Sequence, residues 1–372
     1  MARILILANQ DIGLYKFRKE LIEELVKEND VYASMPNGDY VPKLVDLGCE
    51  FIETSISRRG TNPIADLNLL GEYRKIIKRI KPDVVLTYTI KPNVYGGLAC
   101  RMGNVPYIPN ITGLGTAVEN GGLLQKITLF LYKVALKKAS CIFFQNRENE
   151  HFFLDKKIIQ HNYRLLPGSG VNLDYYSLLD YPTNKTINFL FISRVMKEKG
   201  IDQYLEAAEY IKKRYPNTRF HILGYCEQDY EDKLREMQNK EIIEYHGMQN
   251  DVRKFHKTSN CTIHPTYYPE GMSNVLLESA ACGRPIITTN RSGCREIVDH
   301  GVNGYVVQQE NSQDLIEKIE GFLKLNHENR KQMGLNGRSK VEIEFDRKIV
   351  IKAYIEEINK IYMLTEGNYN GK

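Results

Sequence analysis

Two cations, Arg194 and Lys199, stand five positions apart directly after the apolar run INFLFIS at residues 187–193. That run predicts a buried strand, so both cations should lie on the loop and helix start that follow it. Free backbone N–H groups and the helix dipole add to their charge there, which suits the position to binding an anion. A solvated basic loop is the alternative interpretation.

Two carboxylates, Glu270 and Glu278, are eight positions apart in the stretch EGMSNVLLE. A Gly-Met-Ser-Asn sequence follows the first, and an apolar turn precedes the second. Ser273 or Asn274 can cap a helix that begins here, and the free amides of residues 271–274 would point toward a common ligand. An ordinary helix start with a charged flank is the alternative.

The elements that position these residues follow from an alternation of short β-rich runs with longer helical patterns. The runs are RILILA, DVYASM, CEFIET, DVVLTYT, VPYIPNIT and SCIFFQN, and then INFLFIS, RFHILG, EIIEYHG, CTIHPT, PIITT and GYVVQ. Strands that alternate with helices form parallel sheets covered on both faces. Ligands of such open sheets bind outside the carboxyl ends of the strands, where the cations and carboxylates fall.

A stretch rich in Gly, Pro, Asn and Asp at residues 165–186 interrupts the alternation. The fold class is therefore α/β, with two doubly wound Rossmann-like domains that face each other across a cleft. The predicted parts are an N-terminal domain at 1–168, a linker at 169–186, a C-terminal domain at 187–345 and a helix with a frayed tail at 346–372. We expect this last helix to pack back on the N-terminal domain.

Composition limits the classes of function. The chain has 372 residues, of which 42% are hydrophobic and 26% charged, and a net charge of +5, which is ordinary for a globular protein and does not indicate nucleic-acid binding. It lacks an apolar run of roughly 18 residues and a signal-peptide pattern at MARILILANQ. The seven cysteines are scattered without a C-x-x-C pair, which favours reduced, buried thiols in a cytosolic protein.

Metal-ligand patterns are missing from the sequence. The eight histidines show no H-E-x-x-H spacing, and no two aspartates are separated by one residue, so the Asp-x-Asp clamp of many nucleotide-sugar enzymes is lacking. We therefore expect a protein that works without a metal or another cofactor.

Taken together, the motifs resemble the family 4 retaining glycosyltransferases of the GT-B fold. The motifs are Arg194, Lys199, the Glu270-x7-Glu278 spacing, SGCREIV at 292–298 and PGSGVNLDYY, in which Asn172 replaces the family's usual Asp. The likeness covers nearly the whole chain. The N-terminal half is most similar to bacterial enzymes of capsular polysaccharide and lipid-linked glycan assembly, through GLYKFR, SRRGTNP, LTYTIKPN and NITGLGTA.

The resemblance implies roles at a donor site. Arg194 and Lys199 would neutralise the leaving diphosphate of a sugar nucleotide. Glu270 would address the hexose and complete the catalytic set, and Glu278 would accept hydrogen bonds from the ribose. His246 ends a strand near the place where the family reads the base, and a simple turn is an equal alternative. The full set expected to bind the nucleotide sugar is Gly13, Arg194, Lys199, His246, Met248, Glu270, Gly271, Met272, Ser273, Asn274 and Glu278.

The resemblance also implies retention of anomeric configuration. The sequence offers no well-placed nucleophile for a double displacement, so we expect a front-face path in which the leaving phosphate oxygen takes the acceptor's proton. Many family members carry a histidine on the strand that YIPNIT matches. Asn110 and Thr112 lie there instead.

The acceptor is expected at the first domain. Arg18, Arg58 and Lys91 each follow a candidate strand of one parallel sheet, and such strand ends gather at one edge. These cations would bind the diphosphate of a polyprenyl-diphosphate-linked sugar, arginine through bidentate contacts and lysine as a point charge. Solvated loop cations are the alternative. The predicted acceptor set is Arg18, Arg58, Lys91, Asn110, Thr112 and Gly113.

A helix is predicted over LLQKITLFLYKVALKKA at residues 123–139. Lys126, Lys133 and Lys137 fall on one narrow stripe, and Phe130 adjoins it. Apolar and basic surface side by side can lie on an anionic membrane leaflet. An ordinary packed helix with snorkelling lysines is the alternative.

The sequence thus predicts a glycosyltransferase that moves an N-acetylhexosamine, or its deoxy relative, from a UDP-sugar to an undecaprenyl-diphosphate-linked saccharide in capsule or other surface polysaccharide synthesis. We expect it in the cytoplasm, peripherally associated with the inner face of the cell membrane, with no nucleic-acid partner. A GT-B glycosyltransferase with a soluble acceptor and a non-catalytic sugar-nucleotide sensor are the alternatives. The intact cations and glutamates argue against the sensor.

Overall fold

The structure, a computed structural model, describes residues 1–57, 62–114, 118, 121–269 and 271–369. Arg58 and Glu270, which the sequence singles out, lie outside the described residues. The chain divides into two compact units. The first is Met1–Ser169 with Lys348–Lys372, and the second is Gly170–Arg347.

Within the described residues, the first unit holds a sheet of seven parallel strands. They are β1 Arg3–Leu7, β2 Asp30–Met35, β3 Glu50–Glu53, β4 Val84–Tyr88, β5 Tyr107–Ile111, β6 Ile142–Phe144 and β7 Tyr163–Leu165. Their order is β3-β2-β1-β4-β5-β6-β7, so the sheet changes its direction of growth between β1 and β4. Every residue of β4 is buried, as expected for a continuous apolar run covered by helices on both faces.

The helices of this unit are α1 Asp11–Leu25, α2 Val41–Asp46, α3 Pro63–Ile80, a π-helix Pro92–Gly96, α4 Gly97–Gly103, α5 Gly122–Leu136 and α6 Arg147–Asp155. Local sequence sets their limits. At the start of α3, the Asn62 side chain accepts a hydrogen bond from the Ile64 N–H at 3.0 Å, and Pro63 occupies the first helical position. Lys81 ends the helix in the left-handed region at φ 52°.

The second unit holds six parallel strands among the residues described. They are β8 Ile187–Ile192, β9 Thr218–Leu223, β10 Glu244–Tyr245, β11 Cys261–His264, β12 Ile286–Thr289 and β13 Gly304–Val307, in the order β10-β9-β8-β11-β12-β13. The helices are α7 Ile201–Arg214, α8 Glu231–Asn239, α9 Arg253–Thr258, α10 Asn274–Ala281, α11 Ser312–Lys324 and α12 His327–Glu344, with 3₁₀ turns at Lys197–Lys199 and Arg295–Ile297.

The last helix, α13 Arg347–Tyr369, belongs from Lys348 onward to the first unit. Its apolar face enters the core of that unit with β1, β2 and β4. The buried residues are Val350, Ala353, Tyr354, Ile358 and Ile361.

The predicted α/β class with two parallel Rossmann-like sheets is confirmed, and every predicted β-rich run contains a strand. The sequence missed β7, a three-residue edge strand whose YRL sequence is too short to show a period. Of the linker predicted at 169–186, residues 170–186 lie within the second unit. The buried guanidinium of Arg284 holds this segment by donating to the Asp180 carbonyl at 2.7 Å.

Candidate active site

The second sheet changes its direction of growth between β8 and β11, and the segments that leave these two strands lie side by side. The Tyr267 N–H donates to the Glu198 carbonyl at 2.9 Å. Gly200, at φ 77°, allows this approach because a Cβ there would lie 2.1 Å from the Pro265 carbonyl oxygen. The loop after β8 is therefore held against the segment after β11, at the edge where open sheets bind ligands.

Arg194 and Lys199 share one aromatic ring at this edge. The guanidinium carbon of Arg194 lies 5.2 Å from the ring centroid of Tyr268, and the ammonium nitrogen of Lys199 lies 4.6 Å from it. Both distances are within cation–π range. The electron-rich ring thus stabilises two like charges near each other, which is the arrangement that a diphosphate needs.

A carboxylate completes the surroundings of Arg194. Glu227, on the loop after β9, forms an ion pair with the guanidinium. Burial lowers the pKa of Arg194, but its hydrogen bonds with Glu227 and Tyr268 outweigh that effect, so the pKa lies above its usual value. Arg194 therefore stays charged in a partly desolvated place, where its attraction for an anion is stronger than in water.

The turn before α10 is tied to the SGCREIV segment, because the Ser273 N–H donates to the Gly293 carbonyl at 2.8 Å. Ser273 occupies the N-cap position, but its side chain forms no capping hydrogen bond within the part of the chain that is described. The predicted side-chain cap is therefore wrong for Ser273. Gly271 and Met272 are buried, and the Met272 side chain packs in the apolar core, so only the backbone of Met272 can reach a ligand.

Asn274 and Glu278 lie on α10 in positions that suit ligand contact. The side-chain oxygen of Asn274 is buried and has no hydrogen-bond partner among the described residues. Glu278 is half-buried and interacts with the Tyr176 hydroxyl. Burial raises the pKa of Tyr176, and the neighbouring Glu278 carboxylate raises it further, so the phenol stays protonated and can donate to Glu278.

His246 and Met248 follow the edge strand β10. The Gly224 N–H donates to the Gly247 carbonyl at 2.8 Å, which joins this turn to the end of β9. Met248 is exposed, whereas the His246 ring stacks on His221 with ring centroids 5.3 Å apart. The His246 side chain is thus directed at β9, and the exposed part of the turn is Met248.

The first sheet has its own change of direction between β1 and β4, where the sequence predicts cations. Arg18 is 4% exposed, so the alternative of a solvated loop cation does not hold for it. Its guanidinium carbon lies 5.0 Å from the Tyr88 ring centroid and 6.0 Å from that of Tyr354. The cause is the helix period, since Leu14, Arg18 and Leu21 lie on the same buried face of α1.

Lys91 follows β4 and is already paired. Its ammonium nitrogen lies 2.6 Å from a carboxylate oxygen of Asp66, whose other oxygen accepts from the Tyr95 hydroxyl at 2.9 Å. The backbone beside it is strained, because the β-branched residue Thr89 has φ 72°. A π-helix follows at once at Pro92–Gly96. Strain and π-helical turns of this kind concentrate at functional sites.

Asn110 is fully buried in a protein hydrogen-bond network. Its amide nitrogen donates to the Tyr354 hydroxyl at 2.5 Å, and its side-chain oxygen accepts from Gln145 at 3.3 Å. Its backbone carbonyl accepts from Asn93 at 2.8 Å. The expected contact of Asn110 with an acceptor is therefore wrong for the side chain, which ties β5 to β6 and α13 instead.

Three other predicted residues lie beside the ends of strands in the first unit. Gly13 is in the first turn of α1, after β1. Thr112 and Gly113 follow β5 directly and are half-buried. Gly113 has φ 144°, a conformation that favours glycine.

The α5 helix turns a mixed face to solvent. Lys126, Lys133 and Lys137 are exposed, and Phe130 is 64% exposed beside them. Leu123, Leu124 and Ile127 extend this apolar surface toward the start of the helix. None of the helices in the described residues is long and apolar enough to cross a membrane.

Sequence reasoning missed the partners of the predicted donor-site residues. Tyr268, Glu227 and Tyr176 come from three different segments that only folding brings beside the cations and Glu278. Tyr268 carried a usable signal, since it lies two positions before Glu270, in the segment after β11 where ligands are expected.

Comparisons with known proteins agree with this arrangement. The profile of "Glycosyl transferases group 1" matches residues 182–340, and that of "Glycosyl transferase 4-like" matches residues 3–146. The chain belongs to the family 4 glycosyltransferases. It is an enzyme of the transferase class with a GT-B fold, and the resemblance predicted from the motifs is confirmed.

Two curated relatives of this glycosyltransferase extend over most of its length. One is the N,N'-diacetylbacillosaminyl-diphospho-undecaprenol alpha-1,3-N-acetylgalactosaminyltransferase of Campylobacter jejuni, which is 24% identical and covers 96% of this chain and 99% of the relative. The other is the capsular polysaccharide biosynthesis glycosyltransferase CapM of Staphylococcus aureus, which is 26% identical over 81% of this chain and 84% of the relative.

Solved structures show the same fold. Anabaena HepE in complex with UDP and glucose superposes with a TM-score of 0.80 at 15% identity, over 97% of this chain and 100% of HepE. A glycosyltransferase from Rickettsia africae superposes with a TM-score of 0.81 at 19% identity, over 97% and 98% of the two chains.

Proposed function

We propose that this glycosyltransferase moves an N-acetylhexosamine, or its deoxy relative, from a UDP-sugar to an undecaprenyl-diphosphate-linked saccharide, with retention of configuration. The observation that supports the donor site is the placement of Arg194 and Lys199 over the ring of Tyr268, at the change of direction of the second sheet. Two cations held by a neutral ring suit a leaving group with two phosphates.

The donor would lie along the loop after β8 and the start of α10. Arg194 and Lys199 would neutralise the charge that develops on the leaving diphosphate, and no metal is needed for that task. The amides of Met272 and Asn274 would bind the sugar or a phosphate, because the Ser273 amide between them already donates to the Gly293 carbonyl. Glu278 would accept from the ribose hydroxyls, because a carboxylate that accepts from Tyr176 keeps further lone pairs. Glu270 would address the hexose.

The acceptor half rests on the relatives and on the first unit. The Campylobacter jejuni relative is named for a diphospho-undecaprenol substrate, and an Escherichia coli relative for α-D-GlcNAc-diphosphoundecaprenol. The strained turn at Thr89 and the Lys91–Asp66 pair at the end of β4 support an acceptor site in the first unit. Thr112 and Gly113 would line it.

A membrane-bound acceptor calls for a surface that can lie on lipid. The exposed face of α5 combines Phe130 and its apolar neighbours with Lys126, Lys133 and Lys137. Apolar insertion together with attraction to anionic headgroups is the combination that peripheral membrane helices use. We propose that α5 holds the enzyme at the inner face of the cell membrane, where capsule or another surface polysaccharide is assembled.

A donor screen tests the proposal. The purified enzyme is incubated with a set of UDP-sugars and a short-chain polyprenyl-diphosphate sugar, with and without EDTA, and products are followed by mass spectrometry and by NMR of the anomeric proton. We expect one N-acetylhexosamine donor to be used with retention and without a metal requirement. Inversion, loss of turnover in EDTA, or equal transfer to a soluble sugar would each contradict one part of the proposal.

A further inference from the structure

A cluster of three potential metal ligands lies on the edge of the second sheet, in the pairing of β9 with β10. Glu244 is directly opposite His221 in the register of these parallel strands, so both side chains lie on one face of the sheet. His246 is two positions after Glu244 and therefore returns to that face. One ligand atom from each residue lies within 4.8 Å of the other two.

The distances around His221 match those between ligands of one ion. Its Nδ1 lies 3.1 Å from His246 Nε2 and 3.3 Å from Glu244 Oε2. Ligands about 2.1 Å from a tetrahedral zinc ion are separated by about 3.4 Å. Two imidazoles and one carboxylate are a ligand set that zinc accepts, with a fourth position open to water.

The hydrogen bonds behind His221 place an acceptor oxygen beside its inner nitrogen, Nε2. Asn188 donates its amide N–H to the Thr258 carbonyl at 2.9 Å, so its oxygen faces His221 Nε2, at 3.4 Å. A neutral ring that donates from Nε2 to this oxygen presents a lone pair at Nδ1, directly toward the Glu244 carboxylate. His221 Nδ1 also lies 3.1 Å from His246 Nε2, so the three ligand atoms surround one point at which a cation can bind.

Zinc binds histidine as the neutral imidazole and glutamate as the carboxylate. Glu244 is partly exposed, so an ion can enter from solvent.

We propose that His221 Nδ1, His246 Nε2 and Glu244 bind one zinc ion that fastens the short edge strand β10 to β9. The nitrogen-rich ligand set favours Zn²⁺ over Mg²⁺, which prefers oxygen ligands. The site is separate from the loop that carries Arg194 and Lys199. Its role is to hold β10 and the turn that carries Met248, and it supplies no chemistry to the transfer.

Isothermal titration of Zn²⁺ into the full, tag-free chain, after dialysis against a chelator, tests the site. We expect one equivalent to bind, and we expect excess Mg²⁺ not to displace it. His246→Gln and Glu244→Gln should each weaken binding about tenfold or more, since each removes one ligand. Glu244 is partly exposed, so its substitution is compatible with folding, and circular dichroism checks both variants.

His327→Gln is the matched control, because His327 also lies beside a glutamate, with its Nδ1 3.1 Å from Glu328, and has no third ligand nearby in the described residues. It should bind zinc like the parent. Zinc should raise the unfolding temperature of the parent and of this control but not of His246→Gln. Absence of a stoichiometric ion, or equal affinity in the parent and His246→Gln, would overturn the proposal. A failed donor screen would leave this outcome unaffected.

Discussion

Both units have cations near the point where the sheet changes its direction of growth, but the side chains around these cations differ. In the second unit, Arg194 and Lys199 lie over one neutral ring, and Arg194 is also paired with Glu227. In the first unit, Arg18 is buried beneath aromatic rings and Lys91 is paired with Asp66 in close contact. Topology therefore fixes where a ligand binds, whereas the immediate neighbours of each cation decide how much charge it can offer.

The largest expected effect tests the donor side of this comparison. Arg194→Ala or Lys199→Ala should lower kcat by roughly two to three orders of magnitude, since each removes a charge that stabilises the leaving diphosphate, worth about 3 kcal/mol. Steady-state kinetics with the donor found in the screen measure this. Lys197→Ala, an exposed lysine of the same loop, is the control and should match the parent. A mild Arg194 effect together with loss of activity in EDTA would contradict the metal-free account.

Glu278 and Glu270 are expected to bind different parts of the donor, the ribose and the hexose. Glu278→Ala should weaken UDP binding roughly tenfold to a hundredfold, because a hydrogen bond to a charged group contributes about 1.5–3 kcal/mol. Glu270→Ala should reduce transfer much more than UDP affinity, since UDP has no hexose. Calorimetry with UDP on both variants measures the difference. Equal losses of UDP affinity would show that the two carboxylates do not divide donor recognition in this way.

Acid should destabilise the second unit through His256. This histidine is fully buried, and burial, followed by the nearby Arg284, lowers its pKa to about 3. The unfolded chain titrates near pH 6.5, so between the two values it binds more protons than the folded chain, and stability falls as pH drops below about 6.5. At pH 5 the loss is about 2 kcal/mol relative to neutral pH.

Denaturant unfolding at pH 7.5 and pH 5 measures this loss, followed by hydrogen exchange in the second unit. His256→Leu removes the titrating group and should flatten the pH dependence. If the parent and His256→Leu lose the same free energy of unfolding between the two pH values, another group controls acid stability.

Much of the fold was predictable because both signals that define it are local. Hydrophobic runs separated by helical patterns give the strands, and parallel strands place their carboxyl ends at one edge. Arg194, Lys199 and the turn before α10 could be placed by that reasoning alone. The burial of Arg18 was also predictable in principle, since Leu14, Arg18 and Leu21 keep the period of the apolar face of α1.

Partners that come from other segments could not be predicted from spacing. Glu227 reaches Arg194 from the loop after β9, and Tyr176 reaches Glu278 from a segment about a hundred residues earlier in the chain. The His221, Glu244 and His246 cluster has the same origin. Its ligands meet through the register of β9 and β10, and a register is set by the whole sheet rather than by a local motif.

A smaller effect tests the aromatic ring itself. Tyr268→Leu should lower kcat roughly tenfold, because it removes two cation–π contacts of about 0.5–1 kcal/mol each. Tyr268→Phe keeps the ring and should retain most of the activity. The pair of variants separates the ring from the hydroxyl. Equal losses in Tyr268→Phe and Tyr268→Leu would assign the effect to the hydroxyl, which also interacts with Arg194.

The smallest expected effect lies in the first unit and tests whether Asp66 limits the charge that Lys91 offers to a ligand. Lys91→Ala should raise the KM for the polyprenyl-diphosphate acceptor only a few-fold, since Asp66 already compensates much of the lysine charge. Asp66→Asn should act in the opposite direction and lower that KM, because it releases the charge of Lys91 for the lipid diphosphate. UDP affinity should not change in either variant.

Lys78→Ala, an exposed lysine in the last turn of α3, is the control for net charge and should leave the acceptor KM unchanged. An acceptor without the diphosphate is the second control, and on it both Lys91→Ala and Asp66→Asn should match the parent. Equal changes on the two acceptors would mean that Lys91 supports the strained turn after β4 rather than the phosphates. Opposite changes confined to the diphosphate acceptor would show that Asp66 sets the charge that Lys91 offers to the lipid diphosphate.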